Sequence, residues 1–275
     1  EEPMAGWIRT DFHLHTEISV DAPTTGAEMV SAAVALGLSE IALTDHCDHN
    51  VSDEGAGRFP PREAYEKTEA LRREWGDRII IRHGVELAEP QLYEEKNAPI
   101  YELPLDMVIG SVHYVENWGV HADLFDVLPA EEAIHRYLGA VLETATRGRI
   151  DVLGHLDYFG RYTAQRKLPD YNPVDYRGQI RAILDAIIAR EIALEVNSSG
   201  LRAGLGRPFP HPAVLGWYRD QGGRRISLGS DAHRGEHVAA GLDESAKLAY
   251  ELGFREYFVY RNRTAHAIPL TPPRS

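Results

Sequence analysis

The sequence predicts an α/β fold in which successive strand–helix units build a largely parallel sheet, as in an α/β barrel. Short apolar runs alternate with longer amphipathic segments, which is typical of consecutive βα units. Glycines follow most of the amphipathic segments, at positions where helices commonly end. A length of 275 residues suits one large barrel as well as two domains. Because no change in composition marks a boundary, we expect a single barrel domain over residues 1–275, with a frayed C-terminal tail from about residue 267.

Seven apolar runs are predicted strands, and a later run is an eighth candidate. The seven cover residues 8–13, 41–44, 79–85, 107–112, 152–155, 192–197 and 226–229, and the eighth covers 256–260. The predicted helices cover residues 25–36, 61–75, 130–146, 174–190, 212–221 and 242–252. Two segments rich in polar residues, glycine or proline, 47–60 and 88–105, are predicted loops at one mouth of the barrel.

Composition restricts the partners and the compartment of the protein. The chain has 29 Lys and Arg against 42 Asp and Glu, a formal charge of -13, which argues against non-specific nucleic-acid binding. Its single cysteine, Cys47, excludes an intrachain disulfide framework and fits a reducing cytoplasm. The sequence has neither a signal-like start nor a run of eighteen apolar residues. We therefore expect a cytoplasmic protein that binds neither nucleic acid nor membrane.

Histidines and carboxylates collect at the ends of the predicted strands, where a parallel barrel builds its active site. The chain has thirteen histidines. His13 and His15 share one face of the first strand because strand side chains alternate. Nine such residues form the predicted metal-binding set: His13, His15, Asp21, His46, Glu86, His113, His155, Asp231 and His233. Six imidazoles and three carboxylates at one rim perturb one another unless cations bind them, so we predict a metal site.

The remaining candidate ligands are less informative. Five histidines are assigned no site role: His83, His121, His135, His237 and His266. His83 precedes Glu86 by an odd number of residues and so faces the other side of the strand, and the other four fall in loops or helices. His49 and His211 stay undecided. Cys47 follows His46 directly and is interpreted as a small buried thiol pointing away from it.

The ordered set of HxH (His13, His15), Asp21, TDH (ending at His46), Glu86, His113, His155 and DxH (Asp231, His233) resembles the polymerase-and-histidinol-phosphatase (PHP) superfamily, and in particular its histidinol-phosphate phosphatase branch. The resemblance covers nearly the whole chain. It implies a distorted (β/α)7 barrel with a trinuclear metal site, and the predicted strand number is compatible with that fold.

The resemblance also implies how the ligands divide among three divalent ions. His13, His15, Glu86 and Asp231 would hold the first, and Glu86 would bridge to a second held by His113 and His155. Asp21, His46 and His233 would hold the third. Some superfamily members have histidine at the position of Asp21. A carboxylate there favours zinc mixed with iron or manganese, so the metal identity stays open.

Two segments resemble the substrate side of the phosphatase branch. Arg161 follows His155, and residues 195–202 include Asn197, Ser198 and Arg202. Both arginines become phosphate-binding candidates, with Asn197 and Ser198 beside them. Asp53, Glu54, Glu89 and Glu94 lie in the two predicted loops as candidate acceptors for a cationic substrate.

We therefore expect a metal-dependent phosphomonoesterase that hydrolyses L-histidinol phosphate in histidine biosynthesis. A metal-bridging hydroxide would be the nucleophile, and Glu86, Asp231 and His233 would be the catalytic ligands. The alternatives are a PHP phosphoesterase with another substrate, such as a nucleotide phosphatase, phosphodiesterase or exonuclease, and a non-catalytic metal-binding regulatory module. The sequence predicts neither the oligomeric state nor the general acid for the leaving group.

Overall fold

A computed structural model describes residues 6–168 and 170–273. Within them the strands are β1 (Thr10–Leu14), β2 (Glu40–Leu43), β3 (His46–Cys47), β4 (Ile80–Ala88), β5 (Met107–Ser111), β6 (Tyr114–Val115), β7 (Trp118–Gly119), β8 (Val152–Leu153), β9 (Ala193–Asn197), β10 (Ile226–Gly229), β11 (Glu256–Arg261) and β12 (Thr264–Pro269). The helices are α1 (Gly26–Ala35), α2 (Pro61–Trp75), α3 (Glu94–Tyr101), α4 (Leu124–Val127), α5 (Ala130–Arg147), α6 (Gly160–Gln165), α7 (Arg177–Ala189), α8 (Ser199–Arg202), α9 (Pro212–Asp220) and α10 (Leu242–Glu251).

The main sheet is parallel and nearly closes into a barrel. Its strand order is β1-β2-β4-β5-β8-β9-β10, with β3 paired beside β4. The chain after β10 returns to β1, where Asp231 N donates to the carbonyl of His13 at 2.8 Å and His15 N donates to Ala232 O at 2.9 Å. This closure confirms the predicted barrel and brings the first and last strand ends together.

Helices cover the outside of the sheet, so its strands are buried on both faces, as parallel strands usually are. All five residues of β5 and of β9 are buried. In α5, Ile134, Leu138, Val141 and Ala145 recur at helical spacing and are buried. None of the helices in the described ranges combines the length and the apolar character needed to cross a bilayer.

The seven predicted barrel strands and the six predicted helices are confirmed, with boundaries shifted by a few residues. The eighth predicted strand is present as β11, but it pairs antiparallel with β12 in a separate hairpin. The prediction of a frayed tail from residue 267 is wrong for its first residues, because residues 267–269 lie in β12. Leu270, next in the chain, is only 1% exposed and donates its N–H to Arg255 O at 2.9 Å.

The prediction of a loop over residues 88–105 is also wrong in part. A 3-10 turn (Pro90–Leu92) and the helix α3 occupy most of it. Glu94 and Glu95 lie in the first turn of α3, where carboxylates stabilise the positive end of the helix dipole. Of the three prolines that suggested a loop, Pro90 begins the 3-10 turn, Pro99 lies inside α3, and Pro104 follows the helix.

His83 is a buried core histidine and not a surface one. It lies in β4 with 2% exposure and faces α2, where Thr68 Oγ1 is 3.3 Å from its Nδ1 and Tyr65 packs against the ring. Burial, followed by the positive charge of Arg72, lowers the pKa of His83 to about 4.

This low pKa predicts a pH-dependent loss of stability. The unfolded chain protonates His83 near pH 6.5 and the folded chain only near pH 4, so between these values the unfolded state binds more protons and acid favours unfolding. We expect this residue to account for about 3 kcal/mol of the free energy of unfolding lost between pH 6.5 and pH 4. Urea unfolding of wild type and His83→Gln across this range measures the difference, and parallel stability curves would contradict it.

Candidate active site

Glu86 lies at the centre of a cluster of histidines at the carboxyl ends of the barrel strands. It comes near the end of β4, its side chain is fully buried, and Ser111 donates a hydrogen bond to its Oε1. Five imidazoles place a ring nitrogen near one of its oxygens, at 3.3 Å for His13, 3.5 Å for His15, 2.8 Å for His46, 3.5 Å for His113 and 2.9 Å for His155. One carboxylate thus faces side chains from four segments of the chain.

The other predicted ligands extend this cluster toward solvent. Asp231 Oδ1 is 3.8 Å from His13 Nε2, 3.3 Å from His15 Nε2 and 3.6 Å from His233 Nδ1. Asp21, whose side chain is 55% exposed, lies 3.6 Å from His46 Nε2 and 3.3 Å from His233 Nε2. The structure therefore brings all nine residues of the predicted metal-binding set into one connected cluster.

Charge within this cluster is strongly coupled. Burial alone would raise the pKa of the Glu86 carboxyl, but the imidazoles of His13, His46 and His113 hold it well below its usual range. Burial works against protonation of His13, yet the surrounding carboxylates raise its pKa well above the ordinary value. Burial and neighbouring histidines lower the pKa of His15 well below its ordinary value. The carboxylates require positive charge beside them, which metal ions supply as well as protons do.

The donor atoms of the cluster fit divalent metal ions. Five of its buried atoms lack a hydrogen-bond partner: His13 Nε2, His15 Nε2, His46 Nδ1, Glu86 Oε2 and His155 Nδ1. Three groups have ligand atoms within 4.8 Å of one another: His13, His15 and Asp231; His15, His46 and His233; His46, Glu86 and His113. Ligand atoms that lie this close together without forming hydrogen bonds are typical of residues that share a cation. Imidazole with carboxylate suits zinc, iron or manganese.

Neighbouring groups orient the imidazoles through their second nitrogens. Ser19 gives its own proton to Asp45 at 2.8 Å, so its oxygen accepts from His15 Nδ1 at 3.2 Å. Asp48 Oδ1 lies 3.0 Å from His113 Nδ1, and the carbonyl of Asp231 lies 3.1 Å from His233 Nδ1. Such contacts leave Nε2 free to ligate. Asp48 is not among the residues predicted from the sequence, although its position two residues after His46 was a usable signal.

A cavity of about 590 Å³ opens above the cluster. Arg161, predicted to bind phosphate, lines it, as do the predicted mouth acids Asp53 and Glu54. His121, which the sequence analysis assigned no site role, lines it as well. Arg161 Nη2 donates to Ser199 Oγ at 2.7 Å, while its buried Nε has no hydrogen-bond partner. The structure thus places one predicted phosphate ligand at the cavity.

The other predicted substrate residues are not among those that line the cavity. Arg202 donates to the carbonyls of Ser230 at 2.6 Å and Ala240 at 3.2 Å, and Ser198 Oγ donates to Ala240 O at 2.6 Å. Asn197 Nδ2 lies 3.1 Å from a Glu195 oxygen. Because these donors already have protein partners, a substrate contact by any of the three predicted residues stays a prediction.

The undecided residues also have protein partners. His49 Nε2 lies 3.0 Å from Asn97 Oδ1, and His211 Nδ1 caps α9 by accepting from Ala213 N at 3.1 Å. Glu89 is buried and accepts from the backbone N–H groups of His113 and Tyr114. Glu94, at the start of α3, is not among the residues that line the cavity. Cys47 is buried, and burial raises the pKa of its thiol, as expected for an unreactive core cysteine.

The nearly closed parallel barrel and its buried donor cluster define an α/β-barrel protein with a site for divalent metal ions. The PHP domain family model matches residues 11–199, more than half of the sequence, and the chain belongs to the PHP domain family.

Individual members of the family resemble the chain over most of its length. A histidinol-phosphatase of Lactococcus lactis is 29% identical over 90% of this chain and 93% of its own length. A probable histidinol-phosphatase of Thermotoga maritima is 28% identical over 85% of this chain and 88% of its own. The crystal structure of histidinol phosphate phosphatase from Lactococcus lactis, complexed with zinc, L-histidinol and phosphate, superposes with a TM-score of 0.82 and 26% identity, covering 94% of this chain and 98% of that one.

Gly229 provides a steric test of the cluster. A Cβ on this residue of β10 would lie 2.4 Å from His13 Cβ and 2.7 Å from Glu195 Oε1. We expect Gly229→Ala to displace His13, to reduce bound zinc and to destabilise the fold by about 1–3 kcal/mol. Zinc content and urea unfolding measure both effects.

Gly139→Ala is the matched control, because an added Cβ at this position in α5 meets nothing within 4 Å. Wild-type zinc content in Gly229→Ala would show that the close packing around His13 is unimportant.

Proposed function

We propose that this chain is a metal-dependent phosphomonoesterase that hydrolyses L-histidinol phosphate to L-histidinol and inorganic phosphate. The main support is the nine-residue cluster around Glu86. This cluster lies beneath a cavity that Arg161 helps to line. The similarity to the Lactococcus lactis enzyme, whose structure holds zinc, L-histidinol and phosphate, supports the choice of substrate.

Three divalent ions, zinc with iron or manganese, are proposed for the cluster. Glu86 and Asp231 would hold one with His13 and His15, Glu86 would share a second with His113 and His155, and Asp21 would hold the third with His46 and His233. Ions held in this way lower the pKa of coordinated water to about 7 and so supply a hydroxide nucleophile. The close ligand groups support this division, although His15 and His46 each belong to two of them.

Arg161 would bind the phosphoryl group. Its Nη2 donates to Ser199 Oγ, which donates in turn to Asp231 Oδ2 at 3.2 Å. This chain of hydrogen bonds fixes the guanidinium beside a predicted metal ligand, with the unpartnered Nε left to donate. A guanidinium in this position stabilises negative charge on phosphoryl oxygens. Arg161 therefore adds local positive charge in a chain whose net charge is -13.

The mouth of the cavity suits a cationic leaving group. Asp53 and Glu54 line it together with Tyr114, His121 and Tyr162. L-Histidinol carries an amine and an imidazole, which need acceptors and an aromatic or polar wall. Asp53 and Glu54 would supply acceptors for the amine. The same carboxylates disfavour a polyanionic strand.

We further propose that residues 1–275 form one barrel domain that works in the cytoplasm. Cys47, the only cysteine in the sequence, is buried and suits a reducing compartment.

Phosphate release tests the proposed substrate. With zinc or manganese added, we expect kcat/KM for L-histidinol phosphate to exceed that for a nucleoside monophosphate by about 10²-fold or more, because unpaired acceptors in the site penalise a substrate lacking the amine. A short oligonucleotide is expected to release no phosphate. Faster hydrolysis of either nucleotide substrate would contradict the proposal. Hydrolysis of no phosphoester under any metal loading would favour a non-catalytic metal-binding module.

Arg161→Ala tests the phosphoryl contact. Losing a charge-assisted hydrogen bond is expected to lower kcat/KM by about 10²-fold while metal content is unchanged. Arg136→Ala is the control, since Arg136 is exposed on α5 and pairs with Glu132 and Glu116. Equal loss of metal and activity in Arg161→Ala would instead assign this arginine to the metal site.

A further inference from the structure

Glu195 is a buried carboxylate that contacts the cluster without facing its centre. It lies in the middle of β9 and is 1% exposed. Three groups converge on it. His13 Nδ1 lies 2.5 Å from Oε1, and Oε2 accepts from the backbone N–H of His155 at 2.7 Å and from Asn197 Nδ2 at 3.1 Å. One side chain thus connects residues from β1, β9 and the end of β8.

The contact with His13 decides which ring nitrogen can bind a metal ion. An ionised carboxylate only accepts hydrogen bonds, so His13 Nδ1 must carry the proton that it donates. When the ring is neutral, as a bound metal ion would keep it, the opposite nitrogen, Nε2, carries the lone pair and points at Glu86 Oε2, 3.3 Å away, and at Asp231 Oδ1, 3.8 Å away. Glu195 therefore holds the tautomer of His13 that places a free ligand atom in the cluster.

Strand β10 leaves space for the contact between His13 and Glu195. Gly229 of β10 lies beside His13 and Glu195, and a Cβ there would come within 2.7 Å of Glu195 Oε1. Ser227 of β10 is in register with Glu195. Glycine at position 229 leaves room for a buried imidazole and a buried carboxylate between adjacent strands.

We propose that Glu195 is a positioning residue that keeps the proton of His13 on Nδ1 and thereby sets the metal affinity of the cluster, because its carboxylate contacts His13 Nδ1, His155 N and Asn197 Nδ2 together. The inference rests on the proposed ligand role of His13. It does not require that the substrate be histidinol phosphate.

The chemistry of an amide makes Glu195→Gln a sharp test. An amide accepts at one end and donates at the other, whereas the site has donors at both ends. Two donors, His155 N and Asn197 Nδ2, face the Oε2 position and one faces Oε1. The amide oxygen is expected to face the two donors, so its NH2 group faces His13 Nδ1. That nitrogen must then accept, and the ring proton moves to Nε2, which can no longer bind metal.

Glu89→Gln is the matched control. Glu89 is also a buried carboxylate at this end of the barrel, but its Oε1 accepts from two backbone N–H groups and its Oε2 has no hydrogen-bond partner. An amide fits this arrangement with its oxygen in the Oε1 position. The control therefore replaces a buried carboxyl group by an amide without inverting a histidine.

The experiment measures zinc affinity by chelator competition, and the ring nitrogens of His13 by long-range 1H–15N NMR of the zinc-loaded protein. For Glu195→Gln we expect a 10- to 100-fold loss of zinc affinity, with His13 Nε2 protonated and His15 still coordinated. For Glu89→Gln we expect affinity within about threefold of wild type. In the wild type, His13 must show a protonated Nδ1 and a coordinated Nε2.

Several results would overturn the inference. The first is wild-type zinc affinity in Glu195→Gln. The second is lost affinity with the His13 proton still on Nδ1, which would make the role of Glu195 purely structural. Equal losses of zinc affinity in Glu195→Gln and Glu89→Gln would also make the role of Glu195 purely structural. If Glu195→Gln does not fold, a protonated Nε2 on His13 in the zinc-loaded wild type still refutes it. These readouts are independent of phosphate release, so failure of the proposed function is distinguishable from failure of this inference.

Discussion

A single buried carboxylate, Glu86, organises the functional end of this molecule. Five imidazoles lie within 3.5 Å of its two oxygens, and the carboxylate itself is fully buried. A buried charge with so many polar neighbours is stable only when positive charge accompanies it. Protonated histidines and bound metal ions both meet this need, but only metal ions leave the imidazoles neutral and oriented through Nε2. The chemistry of the cavity therefore depends on whether protons or metal ions supply the positive charge.

The barrel makes this arrangement possible by bringing distant segments to one rim. His13 and His15 share a face because strand residues alternate, and the chain after β10 closes against β1 through the hydrogen bond from Asp231 N to His13 O. Ser19, Asp48 and Glu195 further hold imidazoles of the cluster through their second ring nitrogens. A site built on short strands with such support keeps its ligands in place before any ion arrives.

Spacing along the chain was enough to predict the barrel and the nine clustered residues, because strand ends and side-chain alternation are local properties. Contacts that depend on closure were not predictable. Glu195 meets His13 across 182 residues of sequence, and nothing near either residue indicates the pairing. The guanidinium of Arg202 donates to the backbone carbonyls of Ser230 and Ala240, which residue type alone does not reveal. The hairpin of β11 and β12 was missed because its second strand is short and runs directly into a proline-rich tail.

The most direct test of this account is anomalous X-ray diffraction at the zinc absorption edge from crystals of the zinc-loaded protein. The account predicts zinc peaks inside the cluster, at about 2.0–2.2 Å from imidazole nitrogens and carboxylate oxygens, with Glu86 ligating more than one ion. A well-ordered cluster without a zinc peak would contradict it, as would zinc bound only elsewhere on the chain.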